Sequence, residues 1–475
     1  GLIPGLAYAI FGAGLAALLV VCHPDTAFRR RALPGWVLAI AGLAALVEHA
    51  QALSITFAFI GLALFALAVR RGFSTDPLLL VPQAVLVWCH GLSRLIRDRL
   101  LRAGLLALQV PGASLFTGLA ILGTSAVFIA LLAAANPLIE RAIENVGPMI
   151  AIDTRSLIWF CILFALTWAL LTPSHSPRLG RLRRALSSHE TGPSTLTRWL
   201  ARTFPQSSVL IALVLFNAIF AVQTGLDLTV FGLGAGLPEG LSYAEYAHRG
   251  AYPLIATALL AGAIVLFVMR DGGPGRGSRA VRWLIIIWLL QNLVLVGSSL
   301  WRLAIYIDVY ALTYLRVSAF IWMVLVGVGI ALIFARLAFN KSNMWLLRAN
   351  LAVLLLTFYA CCFVDIGRLI AHYNVDRAIA SPTRLAALDL GYLEKRIGTS
   401  AYPALQKLDR ALTGRGEQVS LMMVRIAAIL WEFDYEMARR EKDWRTQSRR
   451  FWKLKAETSR LDRARPQNPP ATPAQ

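Results

Sequence analysis

The chain has 475 residues, of which 57% are hydrophobic and 15% charged, with a formal net charge of +21. A soluble chain would carry about 25% charged residues, so the composition excludes an ordinary water-soluble protein and predicts an integral membrane protein. The positive charge does not indicate a nucleic-acid partner, because basic residues of membrane proteins collect in cytoplasmic loops.

Ten apolar segments are long enough to cross a bilayer, which takes roughly 20 apolar residues per helix. In chain order they are 3–21, 35–50, 52–69, 112–135, 155–172, 207–229, 252–269, 283–301, 315–337 and 348–365. The predicted fold class is therefore all-α: a polytopic transmembrane helix bundle of about ten spans, followed by a small helical C-terminal tail domain.

The chain divides into five predicted parts. They are the first transmembrane helices (1–75), an amphipathic helix on the cytoplasmic membrane surface (76–110), the transmembrane core (111–365), a helical extramembrane domain (366–461) and a disordered end (462–475). For 76–110, packing against the cytoplasmic ends of the spans is an equal alternative. Within the tail, Ser381 and Pro382 predict the start of a helix that continues through Gly398, because this pair suits the cap and first turn.

The basic residues predict the orientation. If the N-terminus lies outside, the linkers on the cytoplasmic side hold 22 Lys plus Arg, against five in the opposite linkers. Since basic loops stay inside, we expect both termini to be extracytoplasmic and the inner loops to contact anionic lipid. One span more or fewer would move the tail to the inside.

The stretch LSYAEYAHRGAYPLI, residues 241–255, places charged residues directly before an apolar span. Ser242 and Glu245 fit a capping box, which gives Glu245 a structural role. The spacing puts Glu245, His248, Arg249 and Tyr252 on one face of a helix. These four residues are the first part of a candidate ligand-binding site.

Two further polar groups lie at predicted outer helix ends. WRLAIYIDVYALTYLRVSAF holds Arg302, Asp308 and Arg316, and FVDIGRLIAHYNVDRA holds Asp365 and Arg368. Charges near a membrane are costly unless paired, and often mark functional sites. Three interpretations stay open: an ion-pair network that joins the helix ends, a pocket for an anionic or zwitterionic ligand, and an ion pathway.

Specific reaction chemistry is not indicated. No HExxH or CxxC pattern occurs among the seven His and five Cys residues. We therefore predict no metal and no cofactor, and name no catalytic residue.

Four stretches resemble a known family. FNAIFAVQTGLDLTVF, GLPEGLSYAEYAHRGAYPLIATALLAG, IDVYALTYLRVSAFIWM and FVDIGRLIAHYNVDRA are similar to bacterial multi-pass membrane proteins known as DUF4173, a domain of unknown function related to DUF4153. The similarity covers roughly residues 110–400. It implies a protein of the bacterial cytoplasmic membrane and no particular reaction.

Three functions remain from the sequence. The first is a non-enzymatic envelope protein for sensing, signalling or scaffolding, with a protein partner bound through the C-terminal domain. The second is a transporter or lipid flippase, for which Gln291 and Asn292 near mid-span would be relevant. The third is a membrane-embedded enzyme for a lipid-linked substrate, with Glu245 or Asp308 as acid or base and Arg249, Arg302 or Arg316 holding phosphate. The sequence favours the first.

Overall fold

The computed structural model describes residues 5–70, 72–94, 154–171, 206–232, 257, 260–269, 277–413 and 420–463. Within these ranges the chain forms helices and no strand, which confirms the all-α prediction. The chain divides into two compact units, one over 3–187 and the other over 188–475.

The N-terminal unit contains five described long helices. They are α1 (Gly5–Cys22), α2 (Leu33–Glu48), α3 (Ala52–Arg70), α4 (Pro77–Arg94) and α5 (Thr154–Leu171). Helices α2 and α3 form the predicted hairpin, and α3 supplies a continuous buried run from Leu62 to Val69. Helix α4, the described half of the predicted amphipathic segment, packs against α3 and α5. The basic half, 95–110, lies outside the described residues.

The C-terminal unit contains four long apolar helices and a helical segment over 260–268. The long helices are α6 (Gln206–Gly232), α7 (Arg279–Tyr310), α8 (Tyr314–Ala338) and α9 (Asn343–Cys361). Ser278, Thr313 and Ser342 cap α7, α8 and α9, each accepting a hydrogen bond from a backbone N–H three residues later. Such caps satisfy donors that the first helical turn leaves free.

Residues 366–463, here called the tail, contain four longer helices. They are α10 (Ile366–Ala380), α11 (Tyr402–Leu412), α12 (Ser420–Lys442) and α13 (Arg449–Arg463). Their apolar core includes Ile370, Leu405 and Ile426, and it also takes in Leu303 and Ile307 from the end of α7. The tail therefore packs onto the end of a membrane helix and shares its core with it.

Seven described helices are long and apolar enough to span a bilayer: α1, α2 (counted from Arg30), α3, α6 (through Leu226), α7, α8 and α9. They confirm a multi-pass membrane protein. Predicted span 155–172 corresponds to α5, of which the stretch Ile162–Leu171 counts as a shorter apolar helix. Predicted span 112–135 lies outside the described residues, and 252–269 is described only at 257 and over 260–269.

Two helices differ in extent from their sequence patterns. The helix that contains predicted span 283–301 continues to Tyr310, and its last turns contribute Leu303 and Ile307 to the tail core. The tail helix predicted from Pro382 through Gly398 ends at Ala386. There Asp389 caps a new short helix, Leu390–Tyr392, by accepting from the Tyr392 N–H, and irregular turns follow to Ala401.

Candidate functional site

The connection between α7 and α8 is held by one amide side chain of the tail. Asn374 on α10 accepts from the backbone N–H of Leu312 at 2.7 Å and donates to the Leu312 carbonyl at 2.9 Å. Asn374 is only 7% exposed and Leu312 is buried as well. Buried backbone N–H and carbonyl groups need hydrogen-bond partners. The Asn374 amide provides both partners for Leu312. This contact is the centre of what we call the junction: residues 302–316 together with α10.

Asp308, one of the predicted ligand-binding residues, lies at the edge of the junction between two arginines. It forms ion pairs with Arg377 and, at 3.1 Å, with Arg384. Arg377 also donates to the Tyr373 hydroxyl at 2.9 Å and lies over that ring. These two ion pairs tie the end of α7 to α10 and to the segment that follows it.

Arg316 serves the end of the preceding helix. Its guanidinium donates to the carbonyls of Tyr310 and Ala311. It also lies 4.2 Å from the centre of the Tyr306 ring. The last carbonyls of a helix have no partner within it and carry partial negative charge, so a cation there is favourable. Arg302, one helix turn before Tyr306, donates to Ser298 Oγ at 3.4 Å.

Asp365 and Arg368 join the start of α10 to the rest of the tail. Asp365 caps α10 by accepting from the Arg368 N–H at 3.0 Å, and it also accepts from Ser400 Oγ at 3.1 Å. The Arg368 guanidinium pairs with Glu457 on α13 at 2.6 Å. Both predicted site residues therefore act within the fold.

His372, one turn beyond Arg368, is half-buried in the same region. Burial, with Arg368 nearby, lowers the pKa of the His372 imidazole below its ordinary value. The imidazole is therefore neutral at neutral pH and adds no positive charge of its own beside the pair of Arg368 and Glu457.

Two polar side chains inside the spans connect α6 to α7. Asn217 on α6 donates to the Leu284 carbonyl on α7 at 3.1 Å, and Gln291 on α7 donates back to the Asn217 carbonyl at 3.3 Å. Asn292 donates within its own helix to Trp288. Hydrogen bonds of this kind are a usual means of joining membrane helices.

The predicted site residues fall into two groups. The structure brings Arg302, Asp308, Arg316, Asp365 and Arg368 to the junction and the adjoining tail helices. The other four, Glu245, His248, Arg249 and Tyr252, lie outside the described residues. Among the side chains that are described, no three His, Cys, Asp or Glu residues could hold a metal ion.

Sequence reasoning missed the partners on the last helix. Arg450 donates to the carbonyls of Cys362 and Val364, at 3.1 and 3.3 Å, and its Nε lies 3.9 Å from Asp365. Glu457 pairs with Arg368. Both partners come from nearly 90 residues further along the chain, as the hydrogen bonds record. The sequence did contain one signal of these partners. Asp365 and Arg368 lie just after a span, and charges at such a position need partners of opposite charge elsewhere in the chain.

A family model now gives the relationship of the chain to known proteins. The model for DUF4153, a domain of unknown function, matches residues 13–408. The chain belongs to this family. The match starts in α1 and ends in α11, so it includes the first spans and the whole junction. No curated protein and no solved structure matches the chain.

Proposed function

We propose that this DUF4153 protein is a non-enzymatic membrane scaffold. Its spans hold the tail at the membrane surface, and the tail binds a helix of a partner protein through the outward face of α12. The supporting observation is that α12 is apolar on two opposite faces, of which only one is covered by the tail core.

The inner face of α12 is ordinary core. Ile426, Ile429 and Phe433 are each at most 3% exposed and belong to the tail core. The opposite side, here called the α12 outer face, is exposed along its whole length; it consists of Leu421, Val424, Ala428, Trp431, Tyr435 and Ala438. Leu421 is 86% and Trp431 72% exposed. An exposed apolar stripe that is rimmed by polar residues commonly marks a site of interaction with another molecule.

The spacing of the outer face favours a helix as that cover. Its six residues are separated alternately by three and four positions, which is the seam of a coiled coil. Each pair of larger side chains is followed by an alanine, and Trp431 stacks on Tyr435 with ring centres 6.4 Å apart. Trp and Tyr often dominate the energy of protein interfaces.

The borders of the outer face carry charges of both signs. Exposed Glu432 and Asp434 lie on its two sides. Arg425 and Arg439 lie on the same border as Glu432, and Arg425 is 3.9 Å from Glu394 within the tail. We therefore expect the partner helix to present an apolar seam with an acidic residue facing Arg439.

The charged residues of the junction support a scaffold rather than an enzyme. Asp308, Asp365 and Arg368 all have charged or hydrogen-bonding partners from the tail. Groups that hold the tail in place are not poised to exchange protons or bind phosphate. Their pairing supports the first of the three interpretations of these charges.

Site-specific photo-crosslinking in the native membrane tests the proposal. A photoreactive phenylalanine analogue replaces Trp431 in the full-length protein, and we expect one protein adduct of defined mass. The control carries the analogue at Lys407 on α11, which is also exposed, and should give no such adduct. Val424→Glu in the same chain should abolish the adduct while the melting temperature stays unchanged. An adduct with the mass of two copies of this chain, or crosslinks to lipid alone, would refute the proposal that a separate partner protein binds the α12 outer face.

We also infer that the tail lies on the extracytoplasmic side of a bacterial inner membrane. Because Asn374 bonds to Leu312, the tail and the α7–α8 connection share one side of the membrane. The excess of basic residues in the alternate linkers favours the outside for that connection. A phosphatase that is active only outside should be active when fused after Gln475 and inactive when fused after Arg276. The opposite pattern would contradict this orientation.

A further inference from the structure

We propose that the outward face of α13 binds the headgroups of anionic phospholipids in the leaflet where α9 leaves the membrane. This site is separate from the α12 outer face and does not depend on it. Three observations carry the proposal: where α13 lies, what its outward face contains, and which aromatic side chains accompany it.

Helix α13 is fixed to the exit of the last described span. Arg450 donates to the carbonyls of Cys362 and Val364, the first residues after α9. About two turns further on, Glu457 pairs with Arg368 in the first turn of α10. The Arg450 side chain is only 14% exposed. These contacts keep α13 beside the place where the chain passes from hydrocarbon to water.

The outward face of α13 carries charge of one sign. Its exposed side chains are Arg449, Trp452, Lys453, Ala456, Arg460 and Arg463. The opposite face, with Phe451 and Leu454, is buried in the tail. Glu457 is turned towards Arg368 and away from this surface. Among the described side chains of α13, the exposed face thus has four cations and no carboxylate.

The aromatic and apolar residues nearby suit the membrane interface. Trp452 is 47% exposed, and the Lys455 ammonium lies 5.5 Å from its ring centre. At the exit of α9, Phe363 and Val364 are 36% and 50% exposed. Trp is enriched at the level of lipid headgroups, where its ring meets the acyl region and its N–H remains in a polar zone. A basic helix face combined with Trp is typical of helices that lie on anionic membranes.

The two outward faces therefore have different chemistry. The α12 outer face is apolar and its borders carry charges of both signs, whereas the exposed charges of the α13 face are all cationic. Over the 15 residues of α13, the cations are spread along about 21 Å, enough to meet several headgroups at once. Each cation close to an anionic surface is expected to strengthen binding about fivefold.

Depth-dependent quenching in nanodiscs tests the site with the full-length protein. A fluorescent amino acid replaces Ala456, and the discs contain lipids with nitroxide quenchers on their upper acyl chains. Phosphatidylcholine discs are compared with discs that also contain phosphatidylglycerol. We expect strong quenching only with phosphatidylglycerol, and weaker quenching at high salt, because exposed charges are screened.

Two further variants make the result specific. Replacing Arg449, Lys453, Arg460 and Arg463 together by Gln should remove the dependence on phosphatidylglycerol, with about a fivefold loss per cation in the bound-to-free ratio. A fluorophore at Leu421, on the α12 outer face, should remain unquenched in both discs. Equal quenching at Ala456 in both discs, or no quenching in either, would overturn the proposal. The proposal would also be overturned if the variant with all four Gln substitutions were still quenched more strongly in discs that contain phosphatidylglycerol.

Discussion

The α2–α3 hairpin and the junction are both places where helices are held together, but by different forces. In the hairpin, backbones approach so closely that a Cβ added to Gly42 would lie 2.6 Å from the Phe57 carbonyl oxygen. In the junction, contacts are made by Asn374, Asp308 and their partners. Apolar helices gain little by leaving lipid for contact with one another, because lipid chains are as apolar as their side chains. Close packing must therefore hold the two helices of the hairpin together. Where water is present, polar groups can specify which surfaces meet.

The largest effect is expected from a substitution that disrupts the close packing of the α2–α3 hairpin. Gly61 on α3 packs against the backbone of α2 at Leu38 and Ala39, so Gly61→Leu leaves no room for any side chain. We expect about 3 kcal/mol or more of destabilisation, with loss of the monodisperse peak after extraction in size-exclusion chromatography. Gly14→Ala on α1, where a Cβ would meet nothing within 4 Å, is the control and should behave like the wild type. A well-folded Gly61→Leu protein would refute close packing as the stabilising force.

A smaller effect is expected at the centre of the junction. Asn374→Ala leaves a buried N–H and a buried carbonyl of Leu312 without their partner. The expected cost is about 1–3 kcal/mol, and limited proteolysis should release the tail more readily. Asn350→Ala on α9 is the matched control, because among the described residues this amide donates within its own helix, to Leu346. Equal proteolysis of both variants would mean that Asn374 does not hold the tail.

The ion pairs should contribute less than the buried amide. Asp308 is 47% exposed, and its partners are 27% and 44% exposed, so water and salt screen these contacts. Asp308→Asn should lower stability by about 1 kcal/mol or less, and the difference from the wild type should shrink at high salt. Thermal unfolding at low and high salt measures this. Asp376→Asn, which removes one pair with Lys407, should have a still smaller effect. A difference that is independent of salt would contradict the ion-pair account.

The smallest effect concerns His372. Since its pKa is lowered in the folded tail, the unfolded chain binds the proton more readily. The contribution of His372 to the free energy of unfolding is therefore fully present above about pH 6.5, and it decreases as the pH falls below that value. The melting temperature of the wild type should decline more than that of His372→Gln between about pH 7.5 and about pH 5.5. Parallel declines would show that other groups dominate.

The sequence predicted the membrane helices well because hydropathy reports burial in lipid directly. Predicted span 52–69 is observed as Ala52–Arg70, and 315–337 as Tyr314–Ala338. Hydropathy does not report where a helix ends when that helix continues from the lipid into a protein core. The last turns of α7 contain Arg302, Tyr306 and Asp308, which end a hydropathy window but not a helix.

The candidate site was predictable in part. Asp308, Asp365 and Arg368 were selected because charges next to spans need an explanation, and the structure gives each a charged or hydrogen-bonding partner. The partners Arg384, Arg450 and Glu457 were not predictable, because surface charges in an amphipathic tail look alike until the fold brings one of them to a span exit. The assignment of the α12 outer face also needed the structure, since an apolar stripe in sequence does not reveal that a second stripe already fills the core.

The length of α7 has a mechanical consequence. Its 32 residues extend about 48 Å, whereas the hydrocarbon layer of a bilayer is about 30 Å thick. The excess is anchored in the tail core through Leu303 and Ile307, so α7 is one stiff rod shared by the membrane and the tail. If a change in bilayer thickness tilted this rod by about 20°, its far end would move sideways by about 16 Å. The tail shares its core with the end of α7, so it would move with that end.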